Sequence, residues 1–244
     1  MKKPDVKRTR TRRAAPRLPM AQAGRARRAA AAGAGHETPY HHGALRDALL
    51  EAAERVLERD GLPGLTLRAV AREAGVSHAA PTHHFGDLTG LLSELAAIGY
   101  RRFDAALGTA RAAATLPTEK GLASAKAYVR YARAHPGMYG LMFRTERLDM
   151  TRPSLREAAD ASFASFAGGM GADRQEQIRT ETLTLQQAGA LTRAWSLVHG
   201  FSTLLLDGRL THILQRLPEG TDPETLLVAM LMSTLGPPPG AGGA

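Results

Sequence analysis

Along most of this chain apolar side chains recur at three- and four-residue spacing, and no stretch alternates as a half-buried strand would. From His42 onward, Leu45, Leu49, Ala52, Val56 and Leu57 mark one face of a helix, which Asp60-Gly61 ends as a C-cap. Leu62-Pro63-Gly64 reads as a connector. Thr66 then caps a short helix whose inner face is Val70, Ala71 and Ala74. Gly75-Val76-Ser77 makes a tight turn, with Ser77 placed to cap the next short helix. Asp87 caps another that runs through Leu91, Leu92, Leu95, Ile98 and Phe103. Beyond Pro117 the pattern predicts helices over 119–134, 136–144, 153–170, 177–207 and 223–235, with breaks at His135-Pro136-Gly137 and Leu217-Pro218-Glu219-Gly220. No internal repeat is visible. The expected fold class is all-α, a three-helix N-terminal helix-turn-helix domain followed by a larger helical domain.

Composition narrows the chemistry. The 244 residues include no cysteine, which removes disulfides, thiolate metal sites and cysteine nucleophiles and fits a reducing cytosol. The longest apolar candidate, Trp195 to Leu206, is short for a bilayer and carries His199. The arginine pairs Arg12-Arg13 and Arg27-Arg28 are not followed by the apolar stretch of an export signal. The expectation is a cytoplasmic protein without a membrane partner. There is no Gly-rich phosphate loop, no Glu-x-x-His pair and no nucleophile elbow, so no catalytic residue, cofactor or resident metal is expected and an enzyme is disfavoured. His41-His42 with His83-His84 is the one metal cluster worth weighing. Adjacent histidines on a helix point apart and make poor joint ligands.

Charge is distributed unevenly. Residues 1–40 hold eleven Lys and Arg against Asp5 and Glu37, which accounts for the whole net charge of +9. Residues 1–39 have almost no large apolar side chains and are expected to be a disordered basic arm. They read either as a solvated tail, with Met20 an alternative start, or as an arm that neutralises DNA phosphates. Residues 41–88 carry five Arg and seven acids. Residues 236–244, Gly-Pro-Pro-Pro-Gly-Ala-Gly-Gly-Ala, are expected to be a flexible tail.

Two short helices joined by Ala74-Gly75-Val76-Ser77 and backed by a longer one have the dimensions of a helix-turn-helix, whose second helix fits the major groove of B-DNA. Base readout falls to His78, Ala79, Thr82 and His83, where small side chains permit close approach and imidazoles reach base edges. Thr66, Arg68 and Ser77 flank them as further DNA-binding candidates, and His84 completes the set with a structural role favoured. The run Gly61…Leu65-Thr66-Leu67-Arg68-Ala69-Val70-Ala71-Arg72-Glu73-Ala74-Gly75-Val76-Ser77…His83-His84-Phe85…Leu91-Leu92 resembles the DNA-binding domain of TetR-family regulators. Further on, Tyr128-Val129-Arg130-Tyr131…His135-Pro136-Gly137-Met138-Tyr139 and Trp195…His199-Gly200…Leu206-Asp207-Gly208 look like the TetR subgroup named for a Trp-His-Gly motif. The resemblance covers about residues 42–236. It implies a homodimer with residues 40–88 binding double-stranded DNA and residues 89–235 holding a small-molecule effector and the dimer interface. It implies a repressor released by a small hydrophobic ligand, through a change in the separation of the two recognition helices. The chain departs from the family at Thr82, usually Tyr, and at Leu88, usually Lys, so two backbone contacts are weakened. Pro81 is tolerable only in the first turn of its helix.

Met138, Tyr139, Met142, Phe143, Phe163, Phe166, Met170, Trp195 and His199 are the candidate effector-binding residues, apolar groups with Trp195 and His199 as polar handles. Read singly, each is as compatible with ordinary core. Leu191, Leu197, Phe201, Leu204, Leu205, Leu226, Leu227, Met230 and Leu231 are candidates for the dimer interface, with packing inside the protomer as the alternative. A body that only dimerises, without sensing a ligand, is the competing reading within the same class.

Overall fold

The structure is a computed structural model, and it describes residues 40–233. The basic arm, the C-terminal tail and the last two residues of the helix expected at 223–235 lie outside the described residues. Every regular element among them is helical. The order is α1 (Tyr40–Gly64), α2 (Leu67–Ala74), α3 (Ala79–Phe85), α4 (Leu88–Ala112), α5 (Pro117–Ala134), α6 (Pro136–Met142), a 3₁₀ turn (Thr145–Arg147), α7 (Pro153–Arg174), α8 (Leu185–Leu206), α9 (Thr211–Leu214) and α10 (Pro223–Ser233).

Local chemistry sets these boundaries. Gly61 takes φ 68°, a left-handed value open to glycine, and breaks α1 before Pro63. Thr66 caps α2 by accepting a hydrogen bond from the Ala69 amide at 3.1 Å. Asp87 does the same for α4, accepting from Gly90 N at 2.7 Å. Ser77 does not cap α3 as the sequence suggested: the N-cap is His78 in a helical conformation, without a side-chain cap bond. The Ser77 carbonyl already accepts from Ala80 N at 3.0 Å, so the backbone is turning before a side-chain cap is needed.

The helix expected over 177–207 begins eight residues late, at Leu185. Gln175 ends α7 in the left-handed region, and Thr184 and Gln187 form a reciprocal capping box that fixes the next start. Thr180, Thr182 and Thr184 are β-branched and weak helix formers, which leaves the intervening stretch irregular. α6 stops at Met142 rather than 144, and α7 continues to Arg174 rather than 170. The 3₁₀ turn and α9, four residues or fewer, carry no periodicity and were not expected.

One hydrophobic core runs through α1–α8 and α10. Leu49, Val56, Val70, Phe85, Leu91 and Leu95 fill it behind the helix-turn-helix; Val129, Met138, Leu141, Met142 and Leu227 fill it in the body. α4 belongs to both parts. It packs on α1 and α3 near its start and on α5, α6 and α7 beyond. Gly99 lets α6 cross it closely, since a methyl there would press on Met138 and Met142. Among the described residues no helix is long and apolar enough to cross a membrane.

Candidate functional site

Two surfaces carry the chemistry, the outer face of α2–α3 and a cavity in the body. Gly75 sits at φ 69°, ψ 31°, and its amide and that of Val76 return to the carbonyls of Arg72 and Ala71. That left-handed cap turns the chain sharply so that α3 lies against α2. Val70, Ala71, Pro81 and Phe85 point inward and are buried. Pro81 is the third residue of α3, where its missing N–H would have had no intrahelical partner.

The opposite faces are exposed. Thr66, Arg68, Ser77, His78, Ala79, Thr82 and His83 all lie on solvent-accessible surface, so the structure brings the predicted contact residues to one side of two adjacent helices. His84 is half-buried, edge-on to His83 at 5.4 Å and beside Phe85, which fits a structural role. Leu88 is partly buried against the core, which explains an apolar residue at that position.

Electrostatics divide the arginines here. Arg46 pairs with Glu94 at 2.5 Å, and Arg55 and Arg59 both hold Glu73 at 2.9 Å. The two guanidiniums keep the Glu73 carboxyl below its ordinary range. Arg68 and Arg72 make no ion pair among the described residues. They stand one helical turn apart on α2, both exposed. Sequence reasoning named Arg68 and passed over Arg72, though the four-residue spacing was the available signal.

The cavity has a volume of about 1200 Å³ and lies among α4, α5, α7, α8 and α10. Of the nine candidates, Phe143, Phe163, Phe166, Met170 and Trp195 line it. Met138, Tyr139, Met142 and His199 do not. Met138 and Met142 are fully buried where α6 crosses α4, and Tyr139 is buried beside them, because the close approach at Gly99 turns that face of α6 into core. His199 is half-buried, its Nδ1 lying 2.9 Å from both the Tyr128 and the Tyr139 hydroxyl. Burial holds its pKa below the ordinary 6.5. The same burial pushes both phenols above their usual range. His199 is therefore a bracket behind Tyr128, which itself faces the cavity.

The cavity also holds residues that were not among the effector-binding candidates, notably Tyr100, Phe103, Asp104, Arg111 and Tyr128. The signal was present on α4, where 100, 103, 104, 107, 108 and 111 fall on one helical face. Arg111 donates to Asp173 at 2.5 and 2.9 Å and to the Gly169 carbonyl at 2.8 Å, which ties α4 to α7.

The cavity wall is connected to the helix-turn-helix. Arg152, at the N-terminus of α7, donates from Nη2 to the Phe85 carbonyl at 2.9 Å. Glu94 on α4 accepts from Ser154 at 2.9 Å and from Arg46, with Arg152 at 3.9 Å. Gly90 is a glycine because a methyl there would collide with the Phe85 carbonyl and the Arg152 guanidinium.

Of the residues proposed for dimer contact, Leu191, Phe201 and Leu227 are buried within the protomer, the last two as part of the main core. Leu197 and Leu231 line the cavity. Leu204 is 42% exposed, and Leu205, Leu226 and Met230 are partly so.

Comparison with known proteins bears on both parts. Residues 49–95 match the family model described as bacterial regulatory proteins, tetR family, and residues 122–232 match the one described as tetracyclin repressor-like, C-terminal domain. A solved protein of unknown function from Rhodococcus sp. RHA1 is 34% identical, with a TM-score of 0.63 over 81% of this chain and 96% of its own. A TetR-family transcriptional regulator from Pectobacterium atrosepticum has the same fold at 18% identity, with a TM-score of 0.58 over 81% of this chain and 95% of its own. The HTH-type transcriptional regulator BetI of Burkholderia mallei is 40% identical over 70 residues, which is 29% of this chain and only 36% of that relative's length. With an exposed recognition helix on a glycine-turned helix pair and both domain models matched in order, the chain belongs to the TetR family of DNA-binding transcriptional regulators.

Proposed function

We propose that this regulator is a homodimeric repressor, acting in the cytoplasm, that leaves its operator when a small hydrophobic ligand enters the body cavity. The observation that carries the reading is the continuity between cavity and recognition helix: α7 forms one wall of the cavity, and Arg152, the residue that precedes it, donates a hydrogen bond to the carbonyl of Phe85, the last residue of α3. A ligand that binds with different affinity when α7 is displaced shifts the position of α3, and a shift of that kind is what a release mechanism requires. In this reading His78, Ala79, Thr82 and His83 touch base edges while Thr66, Arg68 and Ser77 hold phosphates. The exposed side of α8, with Leu204, and the outer face of α10 supply the partner contact. Two recognition helices must reach half-sites about one helical turn apart, so a two-fold dimer fits the task.

The test is fluorescence-anisotropy binding to the DNA upstream of its own gene and to a scrambled duplex, across a salt series. Preferential binding that saturates at one or two dimers per site is expected. Equal affinity for both duplexes, vanishing at physiological salt, would overturn sequence-specific regulation at that site.

A further inference from the structure

The effector reading leaves the ligand's chemistry open, and the cavity constrains it. Seven of the chain's twelve aromatic residues line the space, and between them stand few polar groups. The charged ones are not equivalent. Arg111 and Asp173 neutralise each other through two hydrogen bonds. Arg193 and Asp160 are exposed and remain hydrated. Asp104 is different. It is half-buried on α4, makes no ion pair among the described residues, and has the Ser165 hydroxyl at 3.2 Å as its hydrogen-bond partner.

We propose that the cavity selects a hydrophobic organic cation, its positive centre seated at Asp104 and its apolar or aromatic parts against the surrounding rings. A carboxylate held in an apolar wall without a counter-ion is a cost to the empty protein, and burial raises this carboxyl above its ordinary pKa. A cation that arrives there removes that cost, and the aromatic rings of Phe103, Tyr100 and Trp195 in the same lining offer π-systems that attract positive charge. An anion would meet Asp104 directly and find Arg111 already committed. The inference rests on the cavity being the effector site.

Tetraphenylphosphonium and tetraphenylborate share a shape and differ in sign, so their comparison isolates charge. Trp195 is the chain's one tryptophan and lines the cavity, so its fluorescence reports occupancy directly. The full chain's net charge of +9 favours the anion in bulk, which makes a preference for the cation informative. We expect the phosphonium to bind roughly tenfold tighter than the borate, or more. Asp104→Asn, which keeps the shape and the Ser165 contact, should remove that difference, while Asp47→Asn, at an exposed carboxylate on α1 outside the cavity, should leave it in place; far-UV circular dichroism checks that both variants fold. Equal or tighter binding of the borate would overturn charge selection but keep the cavity as a binding site. A cation preference that survives Asp104→Asn would overturn the seat assigned here. If neither ion perturbs Trp195, the effector reading of the cavity falls with the proposal.

Discussion

The guanidinium of Arg152 hydrogen-bonds the backbone carbonyl of Phe85 at 2.9 Å, joining the first residue before α7 to the last residue of the recognition helix, 67 positions earlier in sequence. The carbonyl would otherwise be one of the unpaired groups at a helix C-terminus, so the bond both caps α3 and anchors α7. Arg152→Ala should therefore cost about 1–3 kcal/mol of stability, read from denaturant titration. It should also weaken coupling, so that ligand still perturbs Trp195 but releases DNA only at higher concentration. If release and occupancy stay superimposed in the variant, the signal travels instead through α4 or α6.

Gly90 provides a complementary test from the other side of that contact. An added methyl meets the Phe85 carbonyl, which is backbone and cannot swing away, and the Arg152 guanidinium. Gly90→Ala should destabilise by about 1–3 kcal/mol, as overpacking does, and should lower DNA affinity because α3 must move. Gly140→Ala in α6 meets open space and should be neutral or stabilising by up to about 1 kcal/mol. Thermal melting of the two variants side by side checks the contrast; equal melting temperatures would rule out a steric requirement at Gly90.

On the DNA side, Arg68→Ala and Arg72→Ala should each weaken binding to operator and scrambled duplex alike. Each should lower the slope of log affinity against log salt by about one. His83→Ala should instead narrow the gap between the two duplexes, by about 1–3 kcal/mol for a base-edge contact. Deleting residues 2–39, where the net charge resides, should flatten the salt slope further. An unchanged slope after that deletion would show that the arm does not touch DNA.

His199 sets an acid limit on the body. Its folded pKa lies below the ordinary 6.5, so the unfolded chain binds this proton first as pH falls. Stability attributable to His199 is thus intact above about pH 6.5 and declines as pH drops below it. The groups around the ring, Tyr128, Tyr139, Phe143 and Trp195, are uncharged and offer the imidazolium no counter-ion. Melting temperatures between pH 8 and 5.5 should fall less steeply for His199→Asn than for the unmodified protein. Parallel curves would assign the acid sensitivity to other groups.

Much of this was legible in the residues. Thr66, Asp87 and Gly75 announce helix ends through local bonding, and local bonding is what sequence spacing encodes. The exposed set from Thr66 to His83 follows from periodicity once the inner face is known. What the sequence hid was where two helices meet. Met138 and Phe143 look alike as ligand-lining residues, and only the crossing at Gly99 makes one core and the other cavity wall. Arg152 and Asp104 are charged residues whose hydrogen bonds reach partners 67 and 61 positions away, which no short window contains. The late start of α8 was different: Thr184 and Gln187 spelled a capping box that the apolar pattern alone overran.

The 25 residues of α4 have a consequence for how such a protein diversifies. Its first turns, through Leu91 and Leu95, pack into the core behind the helix-turn-helix, while one face of it from Tyr100 to Arg111 lines the cavity. A cut at either end of α4 leaves it whole in one part and takes from the other the turns it packs against. A chimera that joins this reading head to a foreign body at residue 88 would strip the head of its own support. A junction near residues 97–99, keeping the helical phase, would carry the head intact and leave taste for a new ligand to the turns that follow.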